Sequence, residues 1–173
     1  AYIKWDMNRY ISEGYDITRD AAHQGELFHR YILGVYGLME RLLQAFPDLL
    51  IESCASGGGR FDMGMLYYSP QIWCSDDTDA VERLNIQYGT SVFYPLVSMG
   101  SHVSITPNHQ TGRVTPLHTR SNVAMFGTFG YELDLGKLSE EEVREVRREV
   151  DLFQEYRSII HSGDFYRLMA PYN

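Results

Sequence analysis

The amino-acid sequence predicts an α/β fold in which parallel strands alternate with helices. Short segments rich in β-forming residues and longer segments with apolar residues every three or four positions follow one another about five times. Such alternation is typical of a parallel sheet with helical crossovers. The chain has 173 residues, about one domain in length, and a chain of ~150 residues buries about 70% of its unfolded surface. A sizeable core is therefore expected.

The helices are predicted from apolar stripes and from capping residues. The clearest stripe runs through 20–46, and Thr78 or Asp79 is placed to cap a second helix. Ser139 and Glu142 have the spacing of a capping box at the start of the last helix. The predicted helices are 20–46, 79–94 and 139–163, with short helical segments near 60–66 and 120–126.

Five strands are predicted between these helices. They are 2–6, 49–54, 71–74, 96–103 and 130–133. A (β/α)8 barrel takes about 250 residues, or roughly 31 for each unit, so this chain holds about five units. Five units are too few to close eight strands. The residues therefore leave two architectures open, an open doubly wound sheet or the C-terminal part of a barrel whose first strands are absent.

Composition excludes several classes of function. The chain has 15 Lys and Arg against 23 Asp and Glu, a net charge of −8, which argues against a nucleic-acid or anionic-membrane binder. Its apolar runs are far shorter than the ~20 residues of a membrane helix. Two cysteines, Cys54 and Cys74, are too few for a disulfide scaffold. With no signal-peptide pattern at the start, a cytoplasmic location is expected.

Polar side chains follow three of the predicted strands. They lie in Lys4–Asp6, Cys54–Gly59 and Asp76–Asp79. Ligands of parallel α/β folds bind at the carboxyl ends of strands, so one shared site is expected. Lys4 and Asp6 face the same side of their strand because they are two positions apart.

Asp6 has two interpretations. A nearby cation keeps a carboxylate ionised, as a nucleophile requires, and Lys4 is close enough in sequence to act in this way. The alternative is a structural carboxylate that pairs with Lys4 or Arg9 and only positions a loop. The residues alone leave both open.

The acidic cluster Asp76, Asp77 and Asp79 has three interpretations. It could hold Mg²⁺ or Ca²⁺, it could cap the following helix, or one carboxyl could act as a proton donor. Like charges and burial beside Trp73 would raise the pKa of such a donor. The residues do not say which Asp acts.

Other reactive residues carry weaker signals. The triple glycine at 57–59 allows a backbone to approach a ligand closely, but no Lys-Ser/Thr follows it as in a P-loop. Cys54 is interpreted as a small core residue. His102, His109 and His118 lack zinc spacing and are expected to be solvated or to brace their loop.

Three blocks of sequence resemble the α-galactosidases of glycoside hydrolase family 36. They are Tyr-Ile-Lys-Trp-Asp-Met-Asn-Arg at 2–9, Glu-Ser-Cys-Ala-Ser-Gly-Gly-Gly-Arg-Phe-Asp at 52–62 and Trp-Cys-Ser-Asp-Asp-Thr-Asp-Ala at 73–80. The resemblance continues through 87–91 and 106–109 to the last helix. It implies a partial (β/α)8 TIM barrel, about strand four through helix eight, over 1–168. Residues 169–173 would then begin a linker to a C-terminal domain.

The same resemblance implies a reaction and its residues. Asp6 matches the catalytic nucleophile and Asp76 the general acid/base. Four residues match positions near the galactose pocket: Lys4, Cys54, Gly57 and Trp73. Asn8 is a further pocket residue. The implied reaction releases terminal α-linked galactose from oligosaccharides such as melibiose and raffinose with retention of configuration, and it needs no metal or organic cofactor. The expected partner is an α-galactoside, and the full-length form is expected to be a homo-oligomer.

The resemblance also implies what this chain lacks. Family members draw further sugar-binding residues from earlier barrel strands, so weak or no hydrolysis is expected of these 173 residues alone. Alternatives within the fold are an α-N-acetylgalactosaminidase and a galactosyl transferase. More distant alternatives are a metal-dependent phosphoryl-transfer enzyme that uses Asp76–Asp79 and a non-catalytic sugar-binding module.

Overall fold

A computed structural model of the chain describes residues 1–8 and 11–172. Arg9, one of the two pairing partners considered for Asp6, lies outside these residues, as does Asn173 at the end of the predicted linker. The strands are β1 (Tyr2–Asp6), β2 (Leu50–Cys54), β3 (Gln71–Trp73), β4 (Met99–Gly100), β5 (Val103–Ser104) and β6 (Tyr131–Glu132). The α-helices are α1 (Leu27–Ala45), α2 (Met63–Tyr68), α3 (Ala80–Thr90), α4 (Leu117–Ala124) and α5 (Glu140–Ser162).

The sheet is parallel, as the alternation of strands and helices predicts. Strands β1 to β4 lie side by side in chain order, and β5 pairs in parallel with β6. In the register, Lys4 lies beside Glu52, and Asp6 lies beside Cys54. Trp73 lies beside Gly100. The carboxyl ends of β1, β2 and β3 are therefore neighbours, which confirms that their polar residues share one edge of the sheet.

The prediction of a single strand over 96–103 is wrong, because the structure divides this segment. Leu96–Ser98 forms a 3-10 turn, in which both the backbone N–H and the hydroxyl of Ser98 donate to the carbonyl of Pro95. Only Met99–Gly100 pairs with β3, and after two further residues Val103–Ser104 pairs with β6. The chain thus changes its pairing partner in mid-course, and this leaves His102 between two short ladders.

Two predicted helices have different bounds in the structure. The segment 20–46 begins as a 3-10 helix over Ala21–Glu26, capped by Asp20, before α1 starts. The second helix, α3, is capped by Asp79 and ends at Thr90 rather than near 94. The last helix, α5, has the predicted capping box and ends before Gly163.

The sheet has one apolar face and one polar face. Ile51 and Ile72 are buried on the side of the helices, where Ile72 packs with Val35 and Met39 of α1. Because side chains alternate along a strand, the residues between them face the other way. The polar face carries Lys4, Asp6, Glu52, Cys54 and Trp73.

Within the described part of the chain, no helix is long and apolar enough to cross a membrane. Cys54 and Cys74 are both buried, and neither forms a disulfide.

Candidate active site

A cleft of about 470 Å³ opens at the carboxyl ends of the strands. It brings together Lys4, Trp73 and Asp76, three of the residues that the sequence singles out. The rest of its lining is Thr78, His102, Ser104, Ile105, His109, Gln110 and Glu132. Asp6 is next to this lining, since it follows Lys4 on the same face of β1 and lies beside Cys54 in the register.

Lys4 is held between an aromatic ring and a carboxylate. Its Nζ lies 4.0 Å from the centre of the Trp73 ring and 3.9 Å from Oε1 of Glu52. An ammonium group over the face of a tryptophan is attracted by the ring's π electrons. Lys4 therefore forms its ion pair with Glu52 on the neighbouring strand, rather than with Asp6 as one interpretation of the sequence had it.

Asp6 is exposed at the end of β1, and its side chain is oriented by Asn8. The amide nitrogen of Asn8 donates to Oδ2 of Asp6 at 3.1 Å, and the amide oxygen of Asn8 accepts from the backbone N–H of Ser56 at 2.6 Å. Asn8 thus ties the Asp6 carboxylate to the loop that follows β2. It lies beside Asp6, as expected for a residue of the same site.

Cys54 is buried beside Asp6. Burial raises the pKa of the Cys54 thiol to about 11, and a hydrogen bond with the Asp6 carboxylate adds to the rise. A thiol with this pKa is protonated at neutral pH, whereas a nucleophilic cysteine needs its thiolate. The environment of Cys54 therefore fits a packing and binding residue rather than a nucleophile.

The triple glycine packs against the loop that follows β3. Ser56 and Gly57 both have left-handed backbone conformations, with φ of 49° and 77°. A Cβ atom at Gly57 would lie 2.5 Å from the Ser75 Cα and 2.6 Å from the Asp76 backbone nitrogen. The close approach predicted for these glycines is therefore made to the chain's own backbone. A contact between Gly57 and a substrate stays a prediction.

The three aspartates after β3 have different environments. Asp79 is buried and caps α3, where its carboxylate accepts from the backbone N–H of Val81 at 2.8 Å and from Arg113 at 2.5 Å. Asp77 accepts from the backbone N–H of Asp79 at 3.0 Å. Asp76 is exposed and lines the cleft. The capping interpretation is thus confirmed for Asp79, and Asp76 is the one of these three carboxylates that lines the cleft.

The environment of Asp79 does not resemble a cation site. Burial raises the pKa of its carboxyl, but hydrogen bonds from Thr111, Val81, Glu82 and Arg113 lower it more. Its oxygens are thus occupied by donors of the chain. Over residues 1–8 and 11–172, no three His, Cys, Asp or Glu side chains are grouped as metal ligands.

Glu52 is a site residue that reasoning from the sequence missed. It is 4% exposed, its Oε2 accepts from the Gln71 amide at 3.3 Å, and its Oε1 accepts no hydrogen bond in the described structure. Burial raises the pKa of this carboxyl to about 7, and the charge of Glu132 adds to the rise. The sequence could have indicated this residue, because Glu52 and Cys54 are two positions apart and therefore face the same side of β2.

His102 was expected to be solvated or to brace its loop, but its side chain is buried, at 5% exposed. Its ring stacks on Trp73 with 4.3 Å between ring centres and 18° between planes. Burial, together with the nearby cations Arg83 and Lys4, lowers the pKa of His102 to about 3. The His102 side chain is a buried support for Trp73, and its Nε2 lies 3.0 Å from Oε2 of Glu132, while His109 lines the cleft as an exposed side chain. No spacing in the sequence indicates the His102 stack, because it depends on the break between β4 and β5.

The fold and the cleft define a class of protein, a parallel α/β domain with a cleft at the carboxyl ends of its strands. A family model described as Melibiase matches residues 1–163. The chain belongs to this melibiase family. The resemblance to the α-galactosidases of glycoside hydrolase family 36 is confirmed by the relatives and solved structures that match it.

Two curated relatives match nearly the whole chain. The bifunctional alpha-galactosidase/sucrose kinase AgaSK of Mediterraneibacter gnavus is 55% identical over 171 residues, which are 99% of this chain and 17% of the relative. Alpha-galactosidase Mel36A of Lactobacillus acidophilus is 54% identical over 169 residues, 98% of this chain and 23% of the relative. The chain thus spans about a quarter or less of the length of these relatives.

Solved structures give the same result. The family 36 α-galactosidase AgaA of Geobacillus stearothermophilus superimposes with a TM-score of 0.95 at 53% identity, covering 99% of this chain and 24% of AgaA. A variant of AgaA solved in complex with raffinose gives a TM-score of 0.95 at 52% identity over the same shares. Another AgaA variant was solved with stachyose.

Proposed function

We propose that the chain is the part of a retaining α-galactosidase catalytic domain that carries both catalytic carboxylates. One observation carries this proposal. Asp6 and Asp76 are exposed carboxylates at the end of β1 and in the loop after β3, whereas Asp77 accepts from the backbone N–H of Asp79 and Asp79 caps α3. The high identity to named α-galactosidases over 98–99% of the chain supports it. In this proposal, residues 1–168 are strand four through helix eight of the barrel, and 169–173 begin a linker.

The proposed reaction is a double displacement. Asp6 attacks the anomeric carbon while Asp76 protonates the leaving oxygen, and a galactosyl-enzyme forms on Asp6. Asp76 then takes a proton from the water that releases galactose. Retention requires carboxyl groups about 5–5.5 Å apart, so the Asp6 and Asp76 side chains would have to approach each other across the end of β2, which lies between β1 and β3. The hydrogen bond from Asn8 to Asp6 Oδ2 would leave the other oxygen to attack.

The sugar-binding residues in this proposal are Lys4, Cys54, Gly57 and Trp73. The ammonium of Lys4 is an obvious donor to sugar hydroxyls, and its contacts with Trp73 and Glu52 hold it at the cleft. Trp73 is itself fixed by the His102 stack. The Lys4 ammonium and the Trp73 ring are both held in place without a ligand. This arrangement suits a ligand that has hydroxyl groups and an apolar ring face.

The proposed substrates are α-galactosides such as melibiose and raffinose. The relatives' complexes with raffinose and stachyose support this class. Because the chain spans about a quarter of these relatives, we expect it to hydrolyse such substrates weakly or not at all by itself. In the full-length form, we expect a cytoplasmic homo-oligomer that uses no metal or organic cofactor.

The test uses a chimaera in which these 173 residues replace the matching segment of Geobacillus AgaA. The chimaera is labelled with a fluorinated galactosyl donor, which traps the glycosyl-enzyme, and the labelled peptide is mapped. We expect the label on Asp6 and its loss in Asp6→Asn, while Asp77→Asn serves as the matched carboxylate control and keeps it. Label on another residue would refute the nucleophile. Stronger hydrolysis of an α-N-acetylgalactosaminide than of the matching galactoside would favour the related enzyme class.

A further inference from the structure

Arg83 is a buried arginine of α3 that donates to the backbone on both sides of Asp76. It is 3% exposed. Its Nε donates to the carbonyl of Asp77 and its Nη2 to the carbonyl of Ser75, both at 2.6 Å. Its Nη1 donates to the carbonyl of Gly100 at 3.2 Å. One guanidinium thus joins the loop that carries Asp76 to the end of β4.

Arg83 makes hydrogen bonds to carbonyls and a cation–π contact, with 5.6 Å from its Cζ to the centre of the Trp73 ring. Among the ion pairs of residues 1–8 and 11–172, none involves Arg83, although burial of a cation is costly without a partner. Burial accordingly lowers the pKa of Arg83. The planar guanidinium holds its donors in a rigid fork. Such a group fixes the relative positions of three carbonyls in a way that a flexible lysine cannot.

The Asp76 loop is also restrained by the triple glycine. Gly57 lies against the Ser75 Cα and the Asp76 nitrogen, with no room for a Cβ atom. The loop therefore cannot move toward the glycines, and the hydrogen bonds of Arg83 keep it from moving away. The backbone of Asp76 is held between these two contacts while its side chain stays exposed to the cleft.

We infer that Arg83 is a positioning residue for Asp76. It fixes the backbone on either side of Asp76 so that the carboxyl can reach the leaving oxygen. The inference rests on the proposed role of Asp76 as general acid/base. It predicts that loss of Arg83 affects protonation of the leaving group more than it affects binding of the sugar or attack by Asp6.

The test compares two leaving groups on the AgaA chimaera. Raffinose needs a proton on its leaving oxygen, whereas a dinitrophenyl α-galactoside leaves with little protonation. For Arg83→Lys and Arg83→Met, kcat/KM for raffinose should fall about 10- to 100-fold more than kcat/KM for the dinitrophenyl substrate. Since both substrates are measured on one preparation, the ratio does not depend on the fraction of enzyme that is folded.

Arg120 provides a matched control. It is equally buried, at 5% exposed, and it also donates to backbone carbonyls, those of Thr115 and Ser104, which do not flank Asp76. Arg120→Met should leave the ratio of the two kcat/KM values unchanged, whatever it does to yield. Asp76→Ala should show the largest leaving-group dependence of the set.

The possible results separate the two proposals. If Asp76→Ala shows no leaving-group dependence, the proposed role of Asp76 fails. If Asp76→Ala shows leaving-group dependence but the Arg83 variants lower kcat/KM equally for both substrates, only the inference about Arg83 is overturned. Loss of soluble protein for both Arg83 variants also counts against it, because the role of Arg83 would then lie in folding. A selective loss of raffinose turnover supports it.

Discussion

The Gly57 Cα faces the Ser75 backbone so closely that an added Cβ would lie 2.5 Å from the Ser75 Cα. Real Cβ contacts are longer than this, so the two loops fit together only because residue 57 has no side chain. The backbone of Gly57 is also in the left-handed region, with φ of 77°. Two separate demands, space and conformation, therefore select glycine here.

Substitution of Gly57 tests this contact. Gly57→Ala should destabilise the chain by roughly 2–5 kcal/mol, the sum of a left-handed alanine and an overpacked contact. The measurement is the free energy of unfolding in urea, followed by circular dichroism at one protein concentration. Gly89→Ala is the control, because a Cβ there meets nothing within 4 Å. In helix α3 it should stabilise by about 0.5–1 kcal/mol.

Among the acidic residues after β3, substitution of Asp79 should lower stability, whereas substitution of Asp76 should lower activity. Asp79→Ala removes a helix cap and a buried partner of Arg113 and should cost roughly 2–4 kcal/mol of unfolding free energy. Asp76→Asn should change stability by less than about 0.5 kcal/mol and abolish most raffinose hydrolysis in the chimaera. Equal effects of both changes on stability would contradict the division of roles.

Chelation provides a third prediction. The carboxylate of Asp79 is occupied by Arg113 and by the hydroxyl of Thr111, so the acidic cluster is a poor site for a divalent cation. Raffinose hydrolysis by the chimaera should therefore be unchanged after treatment with EDTA. Raffinose hydrolysis that is lost on chelation and recovered with Mg²⁺ would contradict this prediction.

Glu52 should make stability fall as pH rises. Its folded-state pKa of about 7 lies above the ordinary 4.5, so the folded chain holds this proton more tightly than the unfolded chain. Stability is lost between about pH 4.5 and 7, by at most about 3 kcal/mol. Glu52→Gln should remove this loss while keeping the hydrogen bond from Gln71. Parallel stability curves for the two chains across this pH range would refute a raised pKa.

His102 should act in the opposite direction. Its folded-state pKa of about 3 lies below the ordinary 6.5, so the unfolded chain takes up the proton first. Stability should fall as pH drops below 6.5, by about 2 kcal/mol at pH 5. The His102→Gln variant should lose less stability over this pH range than the parent chain. An imidazole that titrates near 6.5 by NMR in the folded chain would contradict the buried, neutral state.

Local signals in the sequence predicted the helices and most strands. The capping box of Ser139 and Glu142 and the acidic cap of α3 are short patterns with a direct physical cause. The resemblance to known α-galactosidases placed Asp6 and Asp76, and the structure puts both on exposed strand ends. Their catalytic roles stay predictions until the labelling experiment is done.

The remaining features depend on contacts between distant parts of the chain. The split of the strand predicted over 96–103 follows from hydrogen bonds to the segment 128–130, where Thr128 donates to Met99 and Val103 donates to Gly130. No local pattern encodes those partners. The His102 stack depends on the same split, and the Arg83 contacts join three segments. Side-chain parity could have indicated Glu52, but its burial required the register with β1 and β3.

Neighbouring residues of a strand lie on opposite faces of the sheet, so their substitution should change different properties of the protein. Along β2, Ile51 packs into the core and Glu52 lies on the polar face beside Lys4, although one peptide bond separates them. In a saturation mutagenesis scan, substitutions at core positions such as Ile51 would lower the amount of protein. Substitutions at polar-face positions such as Glu52 would lower turnover per molecule. The two readouts should alternate with a period of two residues along the strand.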